Sequence, residues 1–280
     1  MKEIKQHIKN VEGIMQITKA MDMVATAKFK KLKDKSEQAV IFLKAYEEIV
    51  HDMLLTEENM TSPYVQKRAF KRDGAVLYII IGGDKGLSGS YNYNVFKLAS
   101  DESVDKKVKL ITLGKKTTQY FKREGFDILD NYTGIFDSFS FEDAFLLGEK
   151  VRKMYLDGTV NKVKIYYTRY KSPLVQLATG HRILPRKKSE RVPSHDYFSL
   201  EPEINTLLHH TIPHLIAHTI YACVLESYTS EQAATRIAME AASESAEEMK
   251  DSLQLKYNMA RQAGITQEIS EIVSNINQSY

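Results

Sequence analysis

The chain has 280 residues, which suggests about two domains. Its composition, 43% hydrophobic and 27% charged, is that of a soluble globular protein with a real core. A net charge of +3 gives no bulk argument for nucleic-acid binding, and a single cysteine excludes an intramolecular disulfide and a CxxC metal site. The N-terminus lacks the continuous apolar core of a signal peptide, and no apolar run approaches the roughly eighteen residues of a membrane span. We therefore expect a soluble intracellular protein.

The N-terminal segment, residues 1–57, predicts one long helix. Gly13 is its only glycine, and no proline occurs before Pro63. Apolar residues recur at steps of three and four, beginning with Ile4, Ile8, Val11 and Met15. This spacing gives the helix an apolar stripe that needs a partner.

Five lysines crowd one part of this helix, with only Asp34 opposing them. They are Lys28, Lys30, Lys31, Lys33 and Lys35. One interpretation is a solvated helical face. The other is a basic surface that meets an acidic partner. Nucleic acid is the weaker option because few aromatic residues are interleaved.

Residues 57–73 break the helical pattern, and residues 70–200 predict a central α/β domain. Strands are expected at 75–81, 107–114, 160–170 and 173–185, a glycine-rich turn at 82–92, and helices at 91–100, 115–125 and 141–158. The alternation of strand and helix implies a largely parallel, Rossmann-like sheet.

The C-terminal segment, residues 201–280, predicts a second long helix. Pro202 suits its first turn, and Pro213 should kink or restart it. Small residues dominate its seam from Ala233 to Ala246, which lets a partner helix approach closely. Some fifty helical residues would span roughly 75 Å, more than a small domain. The most economical arrangement is an antiparallel coiled coil of the two terminal helices.

Gly83, Gly86 and Gly89 follow a buried strand and precede a helix, where a phosphate-binding loop could lie. The dinucleotide pattern GxGxxG and the P-loop pattern GxxxxGK[ST] are both absent. A structural turn that needs glycine backbone freedom is the favoured interpretation.

Two further groups could carry chemistry. His210, His214 and His218 share a helical face that could bind zinc, but no carboxylate or cysteine completes the set nearby. Cys223 lies in an apolar helical stretch and is better explained as a small buried hydrophobe than as a nucleophile. We predict no catalytic residue, no metal and no cofactor.

Four segments carry a resemblance to a known family. They are ITKAMDMVATAKFKK (17–31), IGGDKGLSGSYN (81–92), LESYTSEQAATRIAMEAASESAEEM (225–249) and LQLKYNMARQAGITQEISEIV (253–273). In order and spacing they resemble the gamma subunit of the rotary F-type ATP synthase. The resemblance covers nearly the whole chain.

The resemblance implies a noncatalytic rotor shaft, present once per complex. In that family the terminal helices form an antiparallel coiled coil inside a ring of three alpha and three beta subunits. The central domain holds the epsilon subunit and sits on the membrane c-ring. Ion flow turns the c-ring and the shaft, and the shaft forces the beta sites through different conformations, so that ATP is made or hydrolysed elsewhere. The expected location is peripheral, on the cytoplasmic face of the bacterial cell membrane, with no nucleic acid bound.

The resemblance also assigns contacts with the alpha/beta ring. In the first helix they are Lys19, Met21, Met23, Lys28, Lys30, Lys31 and Lys33. In the last helix they are Arg261, Gln262, Thr266 and Glu268, which match a segment that hydrogen-bonds to loops of the ring, and Ile265, Ile269, Ile272 and Val273, which match its apolar tip.

Two rival functions remain open at this point. One is an enzyme whose α/β domain binds a nucleotide or phosphorylated metabolite, with helical arms for oligomerisation; the Gly83–Gly89 loop is its only support. The other is a helical scaffold with no motor role, which leaves the central domain and the matched segments unexplained.

Overall fold

The structure, a computed structural model, describes residues 1–55, 62–65, 74–186 and 204–277. It divides into two compact units. Unit 1 consists of residues 1–26 and those from 235 onward, and unit 2 consists of residues 27–234. No helix in the described part of the chain is long and apolar enough to cross a membrane.

The described residues form ten elements. They are α1 (Lys2–Leu55), β1 (Val76–Ile81), α2 (Tyr91–Asp101), β2 (Val108–Leu113), α3 (Lys115–Arg123), β3 (Asp127–Tyr132), α4 (Phe141–Leu156), β4 (Lys162–Ser172), β5 (Val175–Leu184) and α5 (Ile204–Asn277). The predicted domain boundaries near residues 57–70 and at residue 200 fall largely outside the described residues, as does Pro202. The borders between the two units fall instead inside α1 and α5.

Helix α5 runs through Pro213 without interruption, so of the predicted kink or restart the restart is wrong. A proline inside a helix removes one hydrogen bond and costs about 3 kcal/mol. Its neighbours Ile212, Leu215 and Ile216 are almost fully buried in the core of unit 2. This tertiary packing outweighs the local cost.

The five strands form one sheet in the order β3-β2-β1-β4-β5. The first four strands are parallel, and β5 returns antiparallel to β4. The strand order changes direction between β1 and β4, which makes this the topological switch point of the sheet. The predicted α/β class, with long terminal helices and a central Rossmann-like sheet, is confirmed.

Strand β1 is buried on both faces, as its continuous apolar run predicts. On one face Ile79 and Ile81 pack in a cluster with residues of α1, α4 and α5. On the other, Tyr78 and Ile80 pack with Val95 and residues of α2 and α3. The sheet is therefore a central layer covered on both sides.

Unit 1 is an antiparallel pair of helical segments. The Thr18 and Ser243 hydroxyls are 2.6 Å apart, and Lys250 Nζ lies 3.0 Å from Glu12 Oε1. The residue numbers rise on one segment as they fall on the other, which fixes the direction. Small residues such as Ala25 and Ala246 are buried at the seam and allow close approach of the helices.

We expect Ser140→Ala to destabilise unit 2 by about 1 kcal/mol, because Ser140 caps α4. The Asp143 backbone N–H donates to Ser140 Oγ at 3.2 Å, and the Ser140 backbone N–H donates to Asp143 Oδ2 at 2.8 Å. Urea unfolding would measure the loss. Ser138→Ala, whose hydroxyl makes only a 3.4 Å bond to Ile135 O, is the matched control. Equal stability of both variants would contradict the capping role.

Candidate functional site

The carboxyl edge of the sheet at the switch point is occupied by the chain's own helix α5. The Thr168 backbone N–H donates to Ser227 Oγ at 3.3 Å, and Ser230 Oγ donates to the Thr168 carbonyl at 3.1 Å. The Tyr91 hydroxyl, at the start of α2, lies 2.8 Å from Ser227 Oγ. Doubly wound sheets bind nucleotides in the crevice at this edge. Here α5 fills that position, which argues against the nucleotide-binding hypothesis.

The glycine-rich loop after β1 is held at this edge by two polar side chains. Asp84 accepts hydrogen bonds from the backbone N–H groups of Lys115 at 2.8 Å and Gly134 at 3.0 Å. Asn92 accepts from the Gly83 N–H at 2.7 Å and donates to the Lys85 carbonyl. Side chains of the chain itself therefore hydrogen-bond to this loop and to the segments beside it.

The three glycines of the loop have different environments. Gly89 has φ +56°, a left-handed conformation that favours glycine. A Cβ built on Gly83 would lie 2.2 Å from Glu231 Oε1, so this glycine allows α5 to approach the loop. At Gly86 the nearest atom to a built Cβ is Lys116 Cε, at 4.0 Å.

Glu231 is a buried carboxyl group, only 6% exposed. Burial, and secondly the negative charge of Asp84, raise its pKa to about 7. Lys28 and Lys85 act in the opposite direction without cancelling this shift. The carboxyl is thus close to half protonated at neutral pH, an environment that the sequence pattern did not reveal.

Lys28 is paired within the chain. Its Nζ lies 2.6 and 2.8 Å from the two Asp137 carboxylate oxygens and 3.0 Å from the Tyr228 hydroxyl. Hydrogen bonds from Lys28 and from Tyr228 lower the pKa of Asp137. Asp137 is 109 positions away in sequence, so no local pattern could identify this partner.

The other predicted contacts on α1 lie mostly on its surface. Lys19, Met23, Lys30 and Lys31 are exposed, whereas Met21 and Lys33 are half-buried. Met23 is 65% exposed, an unusual fraction for a large apolar side chain. Lys33 Nζ lies 3.8 Å from Glu37 Oε1, a weak surface pair.

The predicted contacts on α5 are all exposed. They are Arg261, Gln262, Ile265, Thr266, Glu268, Ile269, Ile272 and Val273. The four apolar side chains among them are between 48% and 59% exposed. Exposed apolar side chains that lie together are typical of interaction surfaces, so the predicted contacts of this segment stay a prediction. We call these four residues the apolar tip.

The histidines and the cysteine do not form a site. His218 packs against the rings of Phe42 and Phe141, with centroids 4.5 and 4.4 Å away. Across the residues that the structure describes, no group of three His, Cys, Asp or Glu side chains could hold a metal ion. Cys223 is buried, and burial raises the pKa of its thiol, which makes it unreactive.

We predict that Glu231→Gln stabilises the protein at alkaline pH. Burying a carboxyl group that has a raised pKa lowers the stability of the folded protein only when the group is ionised. Below its unfolded pKa, near 4.5, the destabilisation is absent, and above about pH 7 it is complete. The variant's advantage should therefore grow across this range and reach about 3 kcal/mol. Thermal unfolding as a function of pH measures it, with the exposed Glu240→Gln as control. A pH-independent difference between Glu231→Gln and wild type would refute the burial effect.

We predict that Gly83→Ala destabilises the protein by about 1–3 kcal/mol, because its Cβ would overlap the Glu231 carboxylate. In a Glu231→Ala background the same substitution should cost much less. Gly86→Ala, which has open space, should be close to neutral. Denaturant midpoints of the four proteins give the coupling energy, and additive losses would show that the two side chains do not compete for space.

Comparison with known proteins gives a consistent result. The sequence model of the ATP synthase family matches residues 1–277. The ATP synthase gamma chain of Alkaliphilus metalliredigens is 37% identical, covering 98% of this chain and 96% of its own length. The sodium ion specific ATP synthase gamma chain of Acetobacterium woodii is 35% identical, covering 97% and 96%.

Solved structures agree on the fold. A chain from the central stalk and c-ring of Tetrahymena thermophila mitochondrial ATP synthase has a TM-score of 0.63 at 25% identity, covering 81% of this chain and 99% of that one. A chain from the rotor of the Euglena gracilis mitochondrial enzyme has a TM-score of 0.69 at 17% identity, covering 94% and 98%. The resemblance inferred from the four sequence segments is confirmed, and the chain belongs to the ATP synthase gamma chain family.

Proposed function

We propose that this chain is the central-stalk rotor shaft of an F-type ATP synthase. It couples ion-driven rotation of a membrane c-ring to ATP synthesis or hydrolysis at catalytic beta subunits. The observation that carries the proposal is the apolar tip of α5, which is exposed in the chain alone and matches the family segment in position. Relatives above 30% identity along their whole length support it.

The chain itself is noncatalytic under this proposal. Its switch-point crevice holds Ser227 and Ser230 of α5 where a nucleotide would lie in a related fold. Its one buried thiol, Cys223, is unreactive for the reason given above. The chemistry then belongs to partner subunits.

The mechanism follows from differential contact. A ligand shifts a conformational equilibrium only when it interacts differently with the alternative states. A two-helix shaft is not threefold symmetric, so at any moment it presents different side chains to three chemically identical sites. Met23 and the apolar tip offer apolar contacts, whereas Lys30, Lys31 and Arg261 offer positive charge. Turning the shaft exchanges these contacts among the sites.

The proposed partners are the alpha and beta subunits, the epsilon subunit and the c-ring, with one copy of this chain in each complex. The proposed location is peripheral, on the cytoplasmic face of a bacterial membrane. Neighbouring structures are described as central stalk, rotor and c-ring, which supports such an assembly. Lys28 is paired with Asp137, and of the predicted contact lysines on α1 it is Lys19, Lys30 and Lys31 that are exposed.

We expect the triple variant Ile265→Ser, Ile269→Ser, Ile272→Ser to reduce torque severalfold in the assembled complex while leaving the free chain equally stable. The reason is that all three side chains are about half exposed before assembly. Single-molecule rotation measures torque, and thermal unfolding checks the free chain. Gln267→Ala with Ser270→Ala, on the same segment, is the control. If the triple variant produced undiminished torque, the apolar tip would have no role in the mechanism.

A complementary test addresses catalysis. The purified chain should hydrolyse no ATP, and its addition to alpha and beta subunits should produce a complex that does. ATP hydrolysis by the chain alone would overturn the noncatalytic assignment.

A further inference from the structure

One short loop, between β3 and α4, touches both terminal helices through a single carboxylate. The Asp137 carboxylate oxygens lie 2.6 and 2.8 Å from Lys28 Nζ on α1, and they accept a hydrogen bond from the Tyr228 hydroxyl on α5. Lys28 Nζ also donates to the Tyr228 hydroxyl oxygen at 3.0 Å. Three segments that are distant in sequence therefore meet at one side chain. We call Lys28, Asp137 and Tyr228 the Asp137 clamp.

The loop that carries Asp137 is itself held in place on either side of it. The ring of Phe136, which is buried, packs against the ring of Tyr228 with centroids 5.5 Å apart. The Gly134 backbone N–H donates to Asp84 Oδ2 of the glycine-rich loop at 3.0 Å. The clamp therefore connects both terminal helices to the carboxyl edge of the sheet.

The clamp lies close to the point where both helices pass from unit 2 into unit 1. On α1 the border falls between residues 26 and 27, so Lys28 is the second residue of unit 2. On α5 the border falls between residues 234 and 235, about two helical turns after Tyr228. Rotation that passes along the helices between the units must pass this level of both helices.

The contacts of the clamp depend on direction, unlike the apolar contacts near it. The ring of Phe29 on α1 packs against that of Tyr170, with centroids 5.6 Å apart, and apolar burial of this kind has no preferred direction. A hydrogen bond weakens steeply as its angle bends. Hydrogen bonds from Lys28 and Tyr228 hold the pKa of Asp137 below its usual value, so the acceptor stays charged at neutral pH. The clamp therefore opposes twisting of the helices, whereas apolar packing mainly opposes their separation.

We propose that Asp137 is a positioning residue for torque transfer: through Lys28 and Tyr228 it fixes the rotational orientation of α1 and α5 on unit 2. The proposal rests on the proposed rotor function and adds the contact that stiffens the shaft where its helices leave unit 2. The side chains of Lys28 and Asp137 are 36% and 71% exposed, and ion pairs this exposed contribute little to folding stability. Torsional stiffness can therefore be tested without unfolding the chain.

The test measures torsional stiffness in the complex assembled from this chain with alpha and beta subunits. The alpha/beta ring is immobilised, and a bead is attached to unit 2 through Lys122→Cys, an exposed position on α3. Labelling is selective because Cys223 is buried. While the complex waits for ATP, the angular variance of the bead is inversely proportional to the stiffness of the shaft.

Asp137→Asn should raise this variance up to about two-fold, because removing the acceptor's charge weakens each hydrogen bond by up to about half. Tyr228→Phe keeps the ring against Phe136 and removes only the hydroxyl, so it should raise the variance in the same direction by a smaller amount. Asp137→Glu restores the charge and should keep the variance close to that of wild type. Lys28 is left in place because it is one of the predicted contacts with the alpha/beta ring.

The matched control is Asp130→Asn. Asp130 accepts hydrogen bonds from Lys150 and from the Tyr132 hydroxyl, so it has the same kinds of partner as Asp137 but joins β3 to α4. This variant should leave the angular variance unchanged. Thermal unfolding of each free chain should show a change of less than about five-fold in the folding equilibrium constant.

Wild-type variance in Asp137→Asn, or an equal rise in Asp130→Asn, would overturn the proposal. A rise in Asp137→Asn with none in Tyr228→Phe would also overturn it, because the effect would then come from a freed Lys28 and not from the clamp. In each of these cases wild type still rotates, so the rotor function stands. If the wild-type complex shows no ATP-driven rotation, the rotor function fails, and the role of Asp137 fails with it.

Discussion

The contact of helix α5 with the carboxyl edge of the sheet occupies the place where unit 2 would otherwise bind a ligand. Hydroxyl groups of Ser227 and Ser230 pair with both backbone groups of Thr168, where β4 extends beyond β1. An α/β domain with this strand order would otherwise present a ligand crevice at that point. Here helix α5 packs at that point instead of a ligand, and we call this contact between α5 and the sheet edge the joint. Gly83 is part of the same joint, because only a residue without a side chain lets Glu231 lie against the loop.

The joint has an electrostatic consequence. A carboxyl group with a pKa near neutrality makes the contact between α5 and the glycine loop sensitive to pH. Lys28 stays charged nearby because Asp137 and Tyr228 hold it. Unit 1 has a different character. Small side chains such as Ala25 and Ala246 are buried together with Val11 and Met239, whereas many of its large apolar side chains, Met23, Met259 and Ile269 among them, are exposed. These exposed apolar side chains are unfavourable in water, and they would be buried if other subunits enclosed unit 1.

Much of the fold follows from sequence pattern. Three sequence patterns predicted elements that the structure contains. The apolar run predicted the buried strand β1, the helical spacing predicted the two terminal helices, and the small-residue seam of α5 predicted their close approach. Strand β3 was not predicted, because DILDNY is polar and lies at the sheet edge, where only one neighbour imposes a pattern. A restart at Pro213 does not occur. Helix propensity depends only on the local sequence, so it contains no information about the buried neighbours that stabilise the helix at this point.

The candidate contacts were predictable only where a motif carries them. Ile265 and Ile269 stand in a segment recognisable by its sequence, and the structure finds both exposed. The pairing of Lys28 with Asp137 joins positions far apart in the chain, so it required the fold. The raised pKa of Glu231 also required the fold, because neither its burial nor its proximity to Asp84 can be inferred from residue spacing.

Native mass spectrometry of the tagged chain, purified from its own host, tests the central claim most directly. The account predicts a complex with three alpha subunits, three beta subunits and one copy of this chain, because an asymmetric shaft can act on three sites only as a single copy. A free monomer, a homo-oligomer, or a complex with three copies would contradict it.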